Sequence, residues 1–341
     1  MRKHPGYFFG ALVLLICYLI FAYTHTLPAD SGSVRAGLPL VASSSKTLAL
    51  ITEPEDGIAP VLDTIHAAKH SLDMTMYEFK DMQVAGAIID AQARGVAVRV
   101  LLNGGYFEKH EDTNKEAYDY LQAHGIPTRF TPTYFALTHE KSIVADGSRA
   151  LIMTFNLVPK YYPTGRDFGV FDTDPADIKA MEDTFQADWS GKKIAKENGD
   201  DLVWSPGSEP DMLLVIESAR QELDIYNEEM ADPRIVDSLI SAIGRGVMVN
   251  IVMTYQSADK DNLQKLKSAG ARLHLFHGQK GEYIHAKAII SDRAYAFIGS
   301  ENFSYTSLDQ NRELGIFISS PEIIGSVFDT FNKDWQAAQA Y

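Results

Sequence analysis

Two segments of the 341-residue chain carry matching polar residues at the same offsets. "HEKSIVADGSRALIMTFN", residues 139–156, holds His139, Lys141, Asp146, Thr154 and Asn156, while "HAKAIISDRAYAFIGSEN", residues 285–302, holds His285, Lys287, Asp292, Ser300 and Asn302. Histidine can act as nucleophile or proton carrier near neutral pH, and lysine and asparagine supply a cation and a donor suited to phosphate oxygens. "HEKSIVAD" and "HAKAIISD" read as strands, in which side chains two residues apart share a face, so each histidine is expected to point with its lysine. Asp146-Gly147 and Asp292-Arg293 read as turns into a second strand. There Thr154 with Asn156, and Ser300 with Asn302, again share a face. A lone histidine in an extended segment is ordinarily structural; two copies of the whole set point to chemistry.

This pattern resembles the phospholipase D superfamily, whose signature is HxKx4D followed by GSxN. The second copy matches it throughout, at His285, Lys287, Asp292, Gly299, Ser300 and Asn302. The first has Met153-Thr154 in place of Gly-Ser, which keeps a hydroxyl and loses glycine's freedom to bring backbone close to a phosphate. "GRDFGV" at 165–170 aligns with "NRELGI" at 311–316, so Asp167 and Glu313 each fall 28 residues after the histidine of their half. The resemblance assigns these two carboxylates the support of a catalytic histidine, and leaves open whether each serves its own half or the other.

The resemblance further implies that two histidine motifs meet in one cleft, His139 attacking phosphorus and His285 acting as acid and then base. Lys141, Lys287, Asn156 and Asn302, with Thr154 and Ser300, would hold the phosphate, and Asp146 and Asp292 would support the motif through hydrogen bonds. Neither a metal nor another cofactor is implied.

The elements that must position these groups also repeat. Residues 71–103 align without gaps on 222–254, sharing a Leu-Asp pair, an acidic residue near a strand end and Arg-Gly-Val before a β-rich run. Both halves close on similar phrases, "DTFQADW" at 183–189 and "DTFNKDW" at 329–335. A period of about 150 residues is that of a whole domain. Val84, Ile88 and Ala91, and likewise Ile235, Leu239 and Ile243, fall at helical spacing, each run ending at a glycine before a strand-like segment. "EAYDYLQAHG" and "NLQKLKSAG" read as further helices. The expected fold is α/β: two similar α/β sandwich lobes, 47–199 and 200–341, forming a pseudo-dimer.

Composition is that of a globular protein, with 45% hydrophobic and 22% charged residues. A net charge of -14 offers no general attraction to nucleic acid. The single cysteine, Cys17, permits neither an intrachain disulfide nor a thiolate metal cluster. His274 and His277 read as ordinary residues, Trp189 and Trp335 as packing residues, and the acidic stretches "EPED" and "NEE" as solvated surface or strand ends. Arg2 and Lys3 precede an uncharged run, Tyr7 to Tyr23, that reads as an N-terminal apolar helix. Residues 1–27 are expected to form a retained anchor or a cleaved signal peptide, and 28–46 a flexible linker. The catalytic part would lie outside the cytoplasmic membrane.

The expected function is hydrolysis or transphosphatidylation of phospholipids through a phosphohistidine, at a membrane surface. Two other readings stand beside it, an exported metal-independent endonuclease and a catalytically silent membrane-anchored binding module. With both half-sites in one chain, a monomer needs no protein partner to complete the centre.

Overall fold

The computed structural model describes residues 48–104, 114–195, 197–278 and 283–341. The expectations for the N-terminal apolar helix and the linker lie outside these residues. Among the described residues no helix is long and apolar enough to cross a membrane.

The first lobe runs β1 (Ala49–Glu53), α1 (Ala59–Ala67), β2 (Ser71–Met76), α2 (Met82–Ala93), β3 (Ala97–Leu102), α3 (Lys115–Ala123), β4 (Thr128–Phe130), β5 (Ser142–Ala145), β6 (Arg149–Met153), β7 (Gly165–Asp172) and α4 (Pro175–Trp189). The second repeats that order with β8 (Leu202–Ser205), α5 (Glu209–Ser218), β9 (Glu222–Tyr226), α6 (Pro233–Gly244), β10 (Met248–Thr254), α7 (Lys260–Ala269) and β11 (Arg272–Phe276). It continues with β12 (Tyr283–Ile284), β13 (Lys287–Ser291), β14 (Tyr295–Gly299), α8 (Tyr305–Asp309), β15 (Glu313–Ile318), α9 (Pro321–Ala337) and β16 (Gln339–Ala340).

Local signals explain the repeated units. Asp81 caps α2 by accepting from the backbone N–H groups of Gln83 and Val84, and Asp232 caps α6 through Arg234 and Ile235. Val84, Ile88 and Ala91 are buried on one helix, Ile235 and Leu239 on the other. Past each helix, Gly95 and Gly246 turn the chain at φ of 95° and 90°, a conformation closed to most residues, and the chain enters β3 or β10.

The first sheet is ordered β1-β7-β6-β5-β2-β3-β4, and the second β8-β15-β14-β13-β9-β10-β11-β16. Along each order, the three strands joined by helical crossovers are parallel and the other neighbours antiparallel, and β12 adds a further parallel pairing on β7 of the first sheet. The protein is thus built from two mixed α/β sheets with their helices. One apolar core belongs to the first lobe and one to the second. A third is shared: Val144, Ile152 and Phe168 pack with Ile290, Ile298 and Leu314, alongside residues of α4 and α9.

At the junction the two lobes exchange short segments. "HEKSIVAD" and "HAKAIISD" are not strands from their first residue: β5 starts at Ser142 and β13 at Lys287. The residues before them pair instead with the opposite sheet. Thr138 bridges Arg312 in parallel, and the His139 N–H donates to the Arg312 carbonyl at 2.8 Å. Equivalently, β12 runs parallel to the start of β7, and the His285 N–H donates to the Arg166 carbonyl at 3.2 Å.

The same arginines then cross back. Arg166 reaches Asp334 at 2.7 Å, and Arg312 reaches Asp188 at 2.9 Å, all four side chains being buried. These aspartates belong to the two phrases that close the halves, so the repeated "DW" endings hold the lobes together. Their tryptophans pack as expected: Trp335 stacks on His274 at 3.7 Å, and Trp189 stacks on Phe185 with Arg129 over its ring.

Candidate active site

Both histidines open onto one cavity of about 990 Å³. His139 is only 8% exposed. Its Nδ1 lies 2.7 Å from Glu313 Oε2 and 3.1 Å from the Ser300 carbonyl. Both neighbours only accept, so Nδ1 carries the proton and the Nε2 lone pair is the reactive one. Burial pushes this imidazole down to about 4, outweighing the pull of Glu313, and at neutral pH it is therefore uncharged. Glu313 is fully buried, yet His139 and Lys141 hold its carboxyl below the usual range against that burial. Its second oxygen accepts from Ser307 Oγ at 2.6 Å and Asn311 Nδ2 at 2.9 Å.

The second histidine mirrors the first. His285 Nδ1 lies 2.8 Å from Asp167 Oδ1, which also accepts from Thr154 Oγ1 at 2.5 Å. Each orienting carboxylate thus comes from the opposite lobe, an arrangement the sequence left open. The surroundings of the two rings differ: His285 Nε2 lies 3.6 Å from Glu228 Oε2, whereas the His139 and Tyr77 rings meet in a T-shaped contact with their centres 4.5 Å apart.

Lys141 and Lys287 are buried beneath their histidines, each donating to the carbonyl of the histidine two residues earlier. Lys141 lies 4.9 Å from the Tyr77 ring centre, and burial pushes its amine down to about 7. Lys287 pairs with Glu228 at 2.9 Å. Asn156 and Asn302 both line the cavity.

Seven residues given roles by the sequence are not part of this cavity's wall: Lys141, Lys287 and Glu313, which lie beneath or beside the imidazoles, and Thr154, Ser300, Asp146 and Asp292. Thr154 and Ser300, expected at the phosphate, instead sit behind the imidazoles. The Thr154 hydroxyl bonds Asp167 and accepts from the Phe168 N–H, while Ser300 accepts from the Leu314 N–H. Asp146 and Asp292 occupy the turns at the far ends of β5 and β13, at φ of 56° and 52°. Asp146 accepts from the backbone of Lys69, His70 and Ser71, and Asp292 from Arg220, Gln221 and Glu222, so both fasten a turn to the chain entering β2 or β9. Gly299 also proves to be a packing residue. A Cβ there would lie 2.3 Å from Glu301 Oε2, 2.5 Å from Gly315 Cα and 2.7 Å from Phe297 Cζ, so the second half has no room for a side chain at this place, whereas the first buries Met153 at the aligned position.

Sequence reasoning passed over Glu228, in the stretch "NEE" taken as surface or strand end, and Tyr77, which aligns with it. The cavity is also lined by Tyr161, Tyr162, Tyr283, Glu53, Glu78 and Glu229. Glu53 is pushed up to about 7, mainly by burial and then by Asp167. Among the described residues, no group of three or more His, Cys, Asp or Glu side chains is placed to hold a metal ion.

The paired motif and the two-sheet architecture are those of the phospholipase D superfamily. The family described as "Cardiolipin synthase, PLD-like domain" matches residues 61–189 and again 212–335, and the chain belongs to it. It is 25% identical over 326 residues to the cardiolipin synthase of Clostridium perfringens, covering 80% of this chain and 67% of that protein. To the major cardiolipin synthase of Bacillus subtilis it is 23% identical over 369 residues, covering 94% and 72%. In fold it resembles the phosphatidylserine synthase of Haemophilus influenzae, with a TM-score of 0.68 at 13% identity over 86% of this chain and 87% of that one. A polyphosphate kinase from Porphyromonas gingivalis shares the fold at a TM-score of 0.65 and 14% identity, over 84% of this chain and 46% of that one.

Proposed function

We propose that the protein is a phospholipase D-type phosphodiesterase or phosphatidyltransferase acting on phospholipids, with His139 as nucleophile and His285 as proton donor and acceptor. The reading is carried by the exchange of carboxylates between lobes, which turns two imidazoles toward one cavity and fixes a proton on the Nδ1 of His139. Its Nε2 lone pair attacks phosphorus as the bond from phosphorus to the departing alcohol breaks, and the Nε2 proton of His285 passes to that alcohol oxygen. In the second step water or an acceptor alcohol attacks the phosphohistidine, its proton returns to His285, and the bond from phosphorus to nitrogen breaks. Lys141, Lys287, Asn156 and Asn302 stabilise the charge on the phosphoryl oxygens.

A lipid substrate is supported by the cardiolipin synthases among the relatives, and a net charge of -14 offers no general attraction to a nucleic-acid polyanion. The apolar run from Tyr7 to Tyr23 supports attachment to a membrane, with the catalytic part outside the cytoplasmic membrane. The full-length chain, incubated with phospholipid vesicles and a chelator, is expected to release head group or form transfer product, and His139→Ala to do neither. DNA degradation without lipid turnover would replace the lipid reading with a nuclease. Phosphate binding without turnover of either substrate would leave a binding module. The N-terminal residue of the mature protein, read by mass spectrometry, separates a retained anchor from a cleaved leader.

A further inference from the structure

Aligned positions in the two half-sites carry different chemistry just past β2 and β9. Tyr77 presents a ring to His139 and Lys141. Glu228 presents a carboxylate. Its Oε1 accepts from the Tyr283 hydroxyl at 2.6 Å, and its Oε2 lies 2.9 Å from Lys287 Nζ, 3.5 Å from Asn302 Nδ2 and 3.6 Å from His285 Nε2. Those three nitrogens are the working groups of the second motif, and they converge on one carboxylate oxygen. A phosphoryl oxygen within reach of the same three would need the space that oxygen fills. Two anions at that separation repel strongly in a cleft shielded from water.

We infer that Glu228 is a built-in stand-in for a phosphoryl oxygen in the second half-site, and so a specificity-determining residue. An anionic phosphate engages Lys287 and Asn302 only as this carboxylate gives way. With Tyr77 in the aligned place, no carboxylate among the described residues takes the corresponding position in the first half-site, and the phosphoryl group meets Lys141 and Asn156 there. Lys287 and His285 hold the Glu228 carboxyl far below its ordinary range in spite of burial, so the stand-in keeps its charge at neutral pH. The inference rests on the phosphodiester-transfer reading for the kind of ligand.

Inorganic phosphate is the probe, titrated calorimetrically into the full-length chain at pH 7. Glu228→Gln retains the side chain's shape and an acceptor for Tyr283 while removing the charge. It is expected to bind phosphate at least tenfold more tightly than the natural chain. Glu228→Ala should tighten binding in the same direction, and Tyr77→Glu should weaken it about tenfold by adding a second stand-in. Binding by Glu228→Gln and Glu228→Ala that equals or falls below that of the natural chain, including no measurable binding by any form, overturns the inference. Tightening in a chain that turns over no phosphodiester would sink the proposed function and leave this role of Glu228 standing. Turnover without tightening would do the reverse.

Discussion

In the first half-site a neutral imidazole sits over a partly discharged lysine beside a tyrosine; in the second, the imidazole lies between two carboxylates, Asp167 and Glu228, above a lysine that is already paired. The backbone beneath them is the same: equivalent strands, equivalent turns and equivalent carboxylates reaching over from the other lobe. Unequal work by two like motifs therefore has to come from side chains at their margins. A lone pair on an uncharged ring suits attack on phosphorus. A ring with Asp167 at one nitrogen and Glu228 near the other fits the proton-carrier role proposed for His285.

Removing the imidazoles one at a time gives the largest expected contrast. His139→Ala should reduce turnover to background and abolish any phosphoenzyme. His285→Ala should slow turnover by about 10²–10⁴-fold while still allowing phosphate to be trapped on His139. Peptide mass spectrometry of a quenched reaction separates the two, and phosphate found on His285 in the natural chain would reverse the assignment.

The two buried arginine pairs offer a contrast in stability. Asp334→Ala takes from Arg166 its buried carboxylate and leaves it Glu55 and the Glu53 carbonyl, and Asp188→Ala does the same to Arg312, which retains Glu197. Each should cost about 2–4 kcal/mol by urea denaturation, toward the lower side of a broken buried pair because a second carboxylate stays with each guanidinium. A cost below 1 kcal/mol for both would mean that the crossing pairs do not hold the lobes.

Next come the orienting carboxylates. Glu313→Gln and Asp167→Asn should each lower kcat about a hundredfold with little change in KM, since each loosens the tautomer and aim of one imidazole. If either left kcat untouched, the histidine it contacts would not need orienting.

The smallest effect is a pH dependence belonging to the first half. Lys141 carries its charge below about 7 and loses it as pH rises, so kcat/KM should fall toward tenfold per unit on the alkaline side. Lys141→Arg keeps the cation and should move that fall to higher pH. An unchanged alkaline limb would show that the fall belongs to another group.

Much of the site was legible because the motif is local. A histidine and lysine two residues apart, followed by an asparagine one strand later, arrive together whenever an extended segment and a hairpin form. Three features were hidden for physical reasons. The exchange of Asp167 and Glu313 depends on how two lobes dock, which no spacing within either half encodes. Thr154 and Ser300 follow the strand alternation, yet their hydroxyls are drawn to nearby backbone and, for Thr154, to Asp167, so they stand behind the chemistry. Glu228 escaped because its aligned counterpart is a tyrosine, and searching for likeness between the halves passes over the positions where they differ. In the fold, helices α2 and α6 followed from their apolar spacing and closing glycines. The first residues of β5 and β13 did not, since the segments before them hydrogen-bond to the other sheet.

Because the acceptor for each imidazole proton belongs to the partner sheet, the smallest working unit is both lobes together. One produced by itself would keep its histidine, lysine and asparagine but have nothing to select between the two tautomers of its ring. Two inert fragments, divided in the stretch between α4 and β8 and mixed, should recover turnover only as Arg166 and Arg312 regain their aspartates. Restored catalysis would then serve as a direct gauge of reassembly.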